Sequence, residues 1–323
     1  MNLKNLPKVE LHLHLDGSIR PQTTSELLNI NIEEVEKNMI AQDECNNLND
    51  YLTKFDLPEI IMQTKDNLKR VAKELAEDLK KENVIYAEIR FAPMKHIKKG
   101  LSGDDVIDSV LSGLKEIDIK TNLILCMMRG SSYEENIEVI NLAKKYLNKG
   151  VCAIDLAGAE ALYKTYMYEN LFDKANKLGI PFTIHAGEAD GKDSIESAIS
   201  FGAKRIGHGI RIVEDEELIK KVIEKNILLE ICPTSNIQTR CVNSYKEHPI
   251  KKLLKKGIPI SINTDNRTVS NTTLTVEYEH LINELAFTVE DIINTNKMAI
   301  NHAFISNDEK YNLLNTYNNL LNN

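Results

Sequence analysis

The sequence predicts an α/β protein built as a (β/α)8 TIM barrel with a helical insertion between strand 1 and strand 2, and three observations predict it. Eight short segments rich in β-branched and apolar residues recur along the chain, amphipathic runs of helical period separate most of them, and glycines punctuate the returns from helix to strand. Strand-helix alternation implies parallel βαβ units, and eight such units favour closure into a barrel over an open sheet. The 323 residues are enough for one such barrel with insertions, read as a single domain over 1–323.

The strands are expected at Lys8–His14, Val84–Phe91, Asn122–Met128, Val151–Leu156, Pro181–His185, Arg205–His208, Ile227–Cys232 and Ile258–Thr264. Helices are expected at Asp104–Ile119, Glu134–Leu147, Tyr168–Leu178, Ser194–Phe201 and Glu216–Glu224, with a helical tail over Val289–Ala299 and Asp308–Leu321. Gly179, Gly202 and Gly257 each follow a helical run and precede a strand, where helix C-caps fall. The long stretch between the first two strands exceeds a single crossover helix. It carries Leu48, Tyr51, Leu52 and Phe55 at i, i+3, i+4 and i+7, one apolar helical face that would serve as core or as a lid over the barrel mouth.

Hydrophobic residues make up 42% and charged residues 27% of the chain, the balance of a globular enzyme. A net charge of −8 repels phosphate backbones, so nucleic acid is not an expected partner. Cys45, Cys126, Cys152, Cys232 and Cys241 form no C-x-x-C pair, and several sit in apolar runs, as buried reduced thiols do. With no apolar leader at the N-terminus and no run long enough to cross a membrane, the expectation is a cytoplasmic protein with no membrane partner.

The chemistry is carried by where the rare polar residues fall. In Val9-Glu10-Leu11-His12-Leu13-His14 a strand points both histidines to one face and Val9, Leu11 and Leu13 to the other. His185, His208 and Asp265 close three later strands, and parallel strands bring their C-terminal ends together. Four of the eight histidines thus converge with an aspartate, a donor set that suits zinc. His96, His248, His280 and His302 fall in loops or helical runs and are expected to be structural. Glu188 follows His185 by three residues across Gly187, so the turn can bring its carboxyl back over the metal as a general acid. The H-x-E…P-C-x-x-C signature of one class of zinc-dependent nucleobase deaminase is absent.

These stretches, with Thr183-Ile184-His185-Ala186-Gly187-Glu188, Arg205-Ile206-Gly207-His208-Gly209, Ser261-Ile262-Asn263-Thr264-Asp265 and Asp155-Leu156-Ala157-Gly158, resemble the adenosine deaminase family from residue 8 to about 300. The resemblance implies one Zn2+ per chain on His12, His14, His185 and Asp265, with Glu188 protonating the purine N1 and His208 orienting or deprotonating the attacking water or stabilising hydroxide. It further implies substrate contacts from His14, from Gly158 to N3, from Asp16 to the 5′-hydroxyl, and from Asn266 to N7. Many members carry a second aspartate where this chain has Asn266, whose amide can still donate to N7. The implied reaction is hydrolytic deamination of a small purine nucleoside, adenosine or 2′-deoxyadenosine. The alternatives are deamination of adenine, AMP or an aminodeoxyfutalosine-like nucleoside, another hydrolase on the same scaffold, or a non-catalytic zinc-binding relative.

Overall fold

A computed structural model describes residues 2–41 and 45–322. Eight parallel strands alternate with helices: β1 Lys8–His14, β2 Val84–Phe91, β3 Lys120–Met128, β4 Val151–Ala157, β5 Thr183–Ala186, β6 Arg205–His208, β7 Leu228–Ile231 and β8 Ile260–Ile262. They pair in chain order as two four-stranded sheets, β1 to β4 and β5 to β8. Single parallel bridges, Ile154 to Phe182 and Leu13 to Asp265, join the two sheets at both seams. At the second seam the His14 N–H donates to the Asp265 carbonyl at 2.7 Å and the Asp265 N–H to the His12 carbonyl at 3.0 Å. The circuit is closed, as the alternation predicted.

Every residue of β1 is buried. Its outward Val9 and Leu11 pack with Ala299, Ile300 and Tyr317 of the C-terminal helices Val289–His302 and Asn307–Leu321. Its inward Glu10 and His12 are fully buried as well. Buried charge of this kind is costly unless paired. Inside the barrel Arg90 meets Asp155 and Glu230 at 2.8 Å each, and Arg205 meets Glu88 at 2.7 Å and Glu230 at 2.6 Å. The barrel interior is therefore an ion-pair layer directly beneath the mouth, in place of the branched aliphatics that fill most such barrels.

Several element boundaries differ from the expected ones. β5 starts at Thr183 because Pro181 has no N–H for the ladder, although its carbonyl accepts from Ile154 N at 3.1 Å. β8 is short because the chain leaves the ladder once the Thr264 N–H turns to the Glu10 carboxylate and Asp265 takes a φ of +61°. The helix expected to run to Ile119 is Gly103–Leu114, and β3 begins two residues earlier than expected, where Lys120 pairs with Tyr86. Helices Pro233–Gln238, Ile250–Lys255 and Leu274–Leu285 were not foreseen.

The insertion holds four short helices, Pro21–Leu28, Ile32–Met39, Leu48–Leu52 and Asp56–Ile61, before the crossover helix Lys65–Lys81. The face read as one helix breaks at Thr53–Phe55, a 3-10 turn. There the Thr53 hydroxyl donates to the Asp50 carbonyl at 2.7 Å, the local bond by which threonine competes with helix hydrogen bonding. Leu48 and Tyr51 still pack with Ala41, Cys45 and Val269, with Leu52 and Phe55 alongside. Among the described residues no helix is long and apolar enough to cross a membrane.

Candidate active site

β1 delivers His12 and His14, β5 delivers His185, β6 delivers His208, and the turn after β8 delivers Asp265. His12 Nε2 lies 3.3 Å from Asp265 Oδ1. His14 Nε2 lies 3.4 Å from the same oxygen and 3.3 Å from His185 Nε2. Two ligands about 2.0–2.1 Å from one tetrahedral zinc stand roughly 3.3 Å apart, so these separations fit a shared metal ion. The buried His12 Nε2 has no hydrogen-bond partner, which leaves its lone pair for an ion. His12, His185, His208 and Asp265 also bring one ligand atom each within 4.8 Å of one another. His208 Nε2, however, stands 4.0 Å from Asp265 Oδ2, farther than the separations around His14.

Outer partners aim the donors. His12 Nδ1 is hydrogen-bonded to Glu230 Oε2 at 2.9 Å, and His185 Nδ1 lies 2.9 Å from Asp155 Oδ2. Both imidazoles therefore turn Nε2 to the centre, the carboxylate–histidine arrangement that fixes tautomer and raises ligand basicity. Ser235 Oγ donates to Asp265 Oδ2 at 2.6 Å, leaving Oδ1 for the centre. His208 and Asp265 have φ of +58° and +61°. Such left-handed geometry is uncommon outside glycine and here coincides with two residues of the cluster.

Glu188 comes within reach because the turn after β5 is held from outside. The Glu160 carboxylate accepts the backbone N–H groups of Gly187, Glu188, Ala189 and Asp190 at 2.7, 3.0, 2.7 and 3.0 Å. Gly187 sits at φ +74°, where a Cβ would lie 2.4 Å from Ile195 Cδ1. Glu188 Oε2 ends 3.6 Å from His208 Nε2, and its buried Oε1 has no partner. Burial, with the charge of Asp265 adding to it, pushes the Glu188 carboxyl up to about 8.

A cavity of about 210 Å³ opens over this cluster. Asp16, Gly158 and Asn266 line it, as do Leu48, Tyr51, Leu52 and Phe55 of the insertion. The insertion's apolar face is therefore both core and cavity wall. Gly158 takes a φ of +100°, a conformation that requires glycine, where β4 ends against the cavity. Asn266 Nδ2 donates to the Tyr51 hydroxyl at 3.0 Å, and its buried Oδ1 has no partner.

The structure thus brings every sequence-proposed site residue to one cavity or its floor. Sequence reasoning missed Glu230, Asp155, Glu160, Ser235, Asn236 and Tyr51 as supports of the site. It also treated the remaining histidines as satisfied. His248 and His302 are hydrogen-bonded, but His96 lines the cavity with neither ring nitrogen partnered.

Imidazoles and a carboxylate around one point, at the C-terminal mouth of a (β/α)8 barrel with a buried acid beside them, define a metal-dependent hydrolase. A family profile described as adenosine deaminase matches residues 7–319. The chain belongs to the adenosine deaminase family. It is 43% identical to an adenosine deaminase of Clostridium acetobutylicum over 97% of this chain and 99% of the relative. It is 45% identical to one of Clostridium perfringens, over 96% and 97%. Among solved structures, the N6-methyl-AMP deaminase of Arabidopsis thaliana superposes with a TM-score of 0.88 at 27% identity, covering 98% of this chain and 97% of that one.

Proposed function

We propose that this protein deaminates adenosine and 2′-deoxyadenosine to inosine and 2′-deoxyinosine, releasing ammonia, with one zinc per chain held by His12, His14, His185 and Asp265. The observation that carries this reading is a neutral-leaning acid, Glu188, set against the histidine–aspartate cluster on the floor of an apolar-walled cavity. Zinc, when bound, lowers the pKa of water enough to supply a hydroxide nucleophile at neutral pH. Glu188 gives a proton to N1 as C6 is attacked, which relieves the charge that would otherwise build on the ring. His208, whose Nε2 lies 3.6 Å from Glu188 Oε2, would orient the attacking oxygen. Asp16 receives the 5′-hydroxyl, Gly158 offers its backbone to N3, and the apolar wall from Leu48 to Phe55 excludes water. A reducing, cytoplasmic setting suits the buried thiols of Cys126, Cys152 and Cys232, and a single domain suits the closed barrel.

An uncharged sugar suits this cavity better than a nucleotide. Lys95 is the one lysine or arginine among its described lining residues, against Asp16, Asp56, Glu59, Glu188 and Asp265. With Glu188 neutral-leaning and Asp265 given to the metal, Asp56 and Glu59 of the insertion would still repel a 5′-phosphate, with Lys95 alone to offset them. Ultraviolet spectra and ammonia release on adenosine, adenine and AMP test the reading. The largest kcat/KM is expected for adenosine, and a larger value for AMP or adenine would overturn it.

Asn266 reads N7 if its amide turns about χ2, so that Oδ1 accepts from the Tyr51 hydroxyl and Nδ2 is freed toward the ring. Asn266→Ala then leaves a buried acceptor on the substrate unpaired, at a cost of about 1–3 kcal/mol, roughly five- to 150-fold in kcat/KM. The analogue 7-deazaadenosine has a C–H there and nothing to accept. Wild type should discriminate against it and Asn266→Ala much less. An unchanged ratio of kcat/KM for the two nucleosides would remove Asn266 from substrate recognition.

A further inference from the structure

A chain of three hydrogen bonds runs from a helix on the outside of the cluster to His208, and its direction is fixed at the far end. The backbone N–H of Ile250 lies 3.2 Å from His248 Nδ1. An amide N–H can only donate, so His248 Nδ1 carries a lone pair and the ring proton is on Nε2. That nitrogen lies 3.3 Å from Asn236 Oδ1, which accepts from it. The Asn236 amide is thereby oriented with Nδ2 toward His208 Nδ1, at 3.0 Å. An amide Nδ2 also can only donate, so His208 Nδ1 carries a lone pair too. The proton of His208 is left on Nε2, the nitrogen that faces Glu188 Oε2 at 3.6 Å and Asp265 Oδ2 at 4.0 Å.

Burial keeps water out of this chain. His248 is 3% exposed, Asn236 0% and His208 1%. Burial also pulls His248 down to about 3, so its ring stays neutral and keeps a lone pair for Ile250. Asn236 is itself fixed, since its backbone N–H donates to the Cys232 carbonyl at 2.9 Å and its carbonyl accepts from Cys241 at 2.9 Å.

We propose that His248 and Asn236 form a positioning relay that locks the proton of His208 on Nε2, so that His208 acts as a hydrogen-bond donor to the attacking oxygen and not as a metal ligand or a base. The proposal rests on the deamination reading for the role of that donor, but the tautomer itself does not. A metal ligand needs the Nε2 lone pair, and a base needs it to accept a proton, and the relay leaves it neither.

Nitrogen-15 spectra of the histidine rings in the zinc-loaded protein read the tautomer directly. His208 should show a protonated Nε2 and an unprotonated Nδ1, and His248 the same. An unprotonated His208 Nε2 would overturn the proposal, whatever the activity. Asn236→Asp provides the second test, because a carboxylate accepts and cannot donate. It should draw the His208 proton to Nδ1 and lower kcat by about 10²–10⁴-fold, the range for losing a positioned proton. KM and zinc content should stay near the wild-type values. His248→Phe should act in the same direction more weakly, and His248→Gln, which can both accept from Ile250 and donate to Asn236, should recover much of the loss. An Asn236→Asp protein with wild-type kcat and an unshifted His208 would also overturn the relay. Wild type with the expected ring signals but no ammonia from adenosine would sink the deamination reading, and His208's part in it, while leaving the tautomer assignment standing.

Discussion

Glu188→Gln is expected to lower kcat by at least about 10²–10⁴-fold, the usual cost of removing a positioned general acid. The amide keeps the size of the carboxyl and can still donate a hydrogen bond, but it cannot transfer the proton that N1 needs. Because Glu160 holds the turn through four backbone N–H groups, the side chain should stay in place when its chemistry is removed. Zinc content and substrate affinity should therefore persist. Pre-steady-state ammonia release, with metal analysis on the same preparation, separates the two effects. Activity within about threefold of wild type would remove Glu188 from the mechanism.

His14→Ala and His208→Ala are expected to fail in different ways, and the contrast decides which imidazole belongs to the metal. His14 Nε2 stands 3.3–3.4 Å from two other donors, so on the proposed ligand set its loss opens one position of four. Metal per chain should fall well below one, and kcat should fall by more than the 10–100-fold typical of losing an outer partner of a ligand. His208→Ala should keep its metal and lose turnover. Elemental analysis of both variants after dialysis at one fixed zinc concentration is the measurement. Full zinc in His14→Ala with depleted zinc in His208→Ala would place His208 on the metal in its stead.

The convergence of the candidate site residues was legible because strand alternation and parallel strand ends are geometric rules that local sequence obeys. His12 and His14 share a face at any i, i+2 spacing, and His185, His208 and Asp265 close strands that must converge. Their supports were not legible, because a buried charge looks locally like a solvated one. Arg90 and Glu230 are 140 residues apart, and Arg90 and Asp155 are 65 apart, yet each pair only makes sense as a partner found inside the barrel. Glu160 reads as a loop carboxylate until the four N–H groups it accepts are seen. Helix Leu274–Leu285 escaped because its buried face includes Glu277 beside Tyr278, so the apolar stripe is interrupted. The left-handed backbone at His208 and Asp265 gives only a weak signal in residue type, since histidine and aspartate favour that region more than most residues without requiring it.

The insertion shows the same divide from another side. Leu48, Tyr51, Leu52 and Phe55 were read as one helical face, and they do line the cavity. The break at Thr53 was invisible because it depends on one side-chain bond to the Asp50 carbonyl. That break leaves Tyr51 able to reach Asn266 and Ser270, at 3.0 and 2.7 Å, and so ties the cavity wall to the strand-8 turn.

Zinc on this cluster and the deamination of adenosine are proposed here as one function. Ammonia release from adenosine should be measured on protein stripped of metal by a chelator, then titrated with zinc. Negligible release is expected from the stripped protein, and a rise that saturates near one zinc per chain, with inosine formed in step with ammonia. Undiminished release from the stripped protein, or one bound zinc per chain with no ammonia formed, would contradict it.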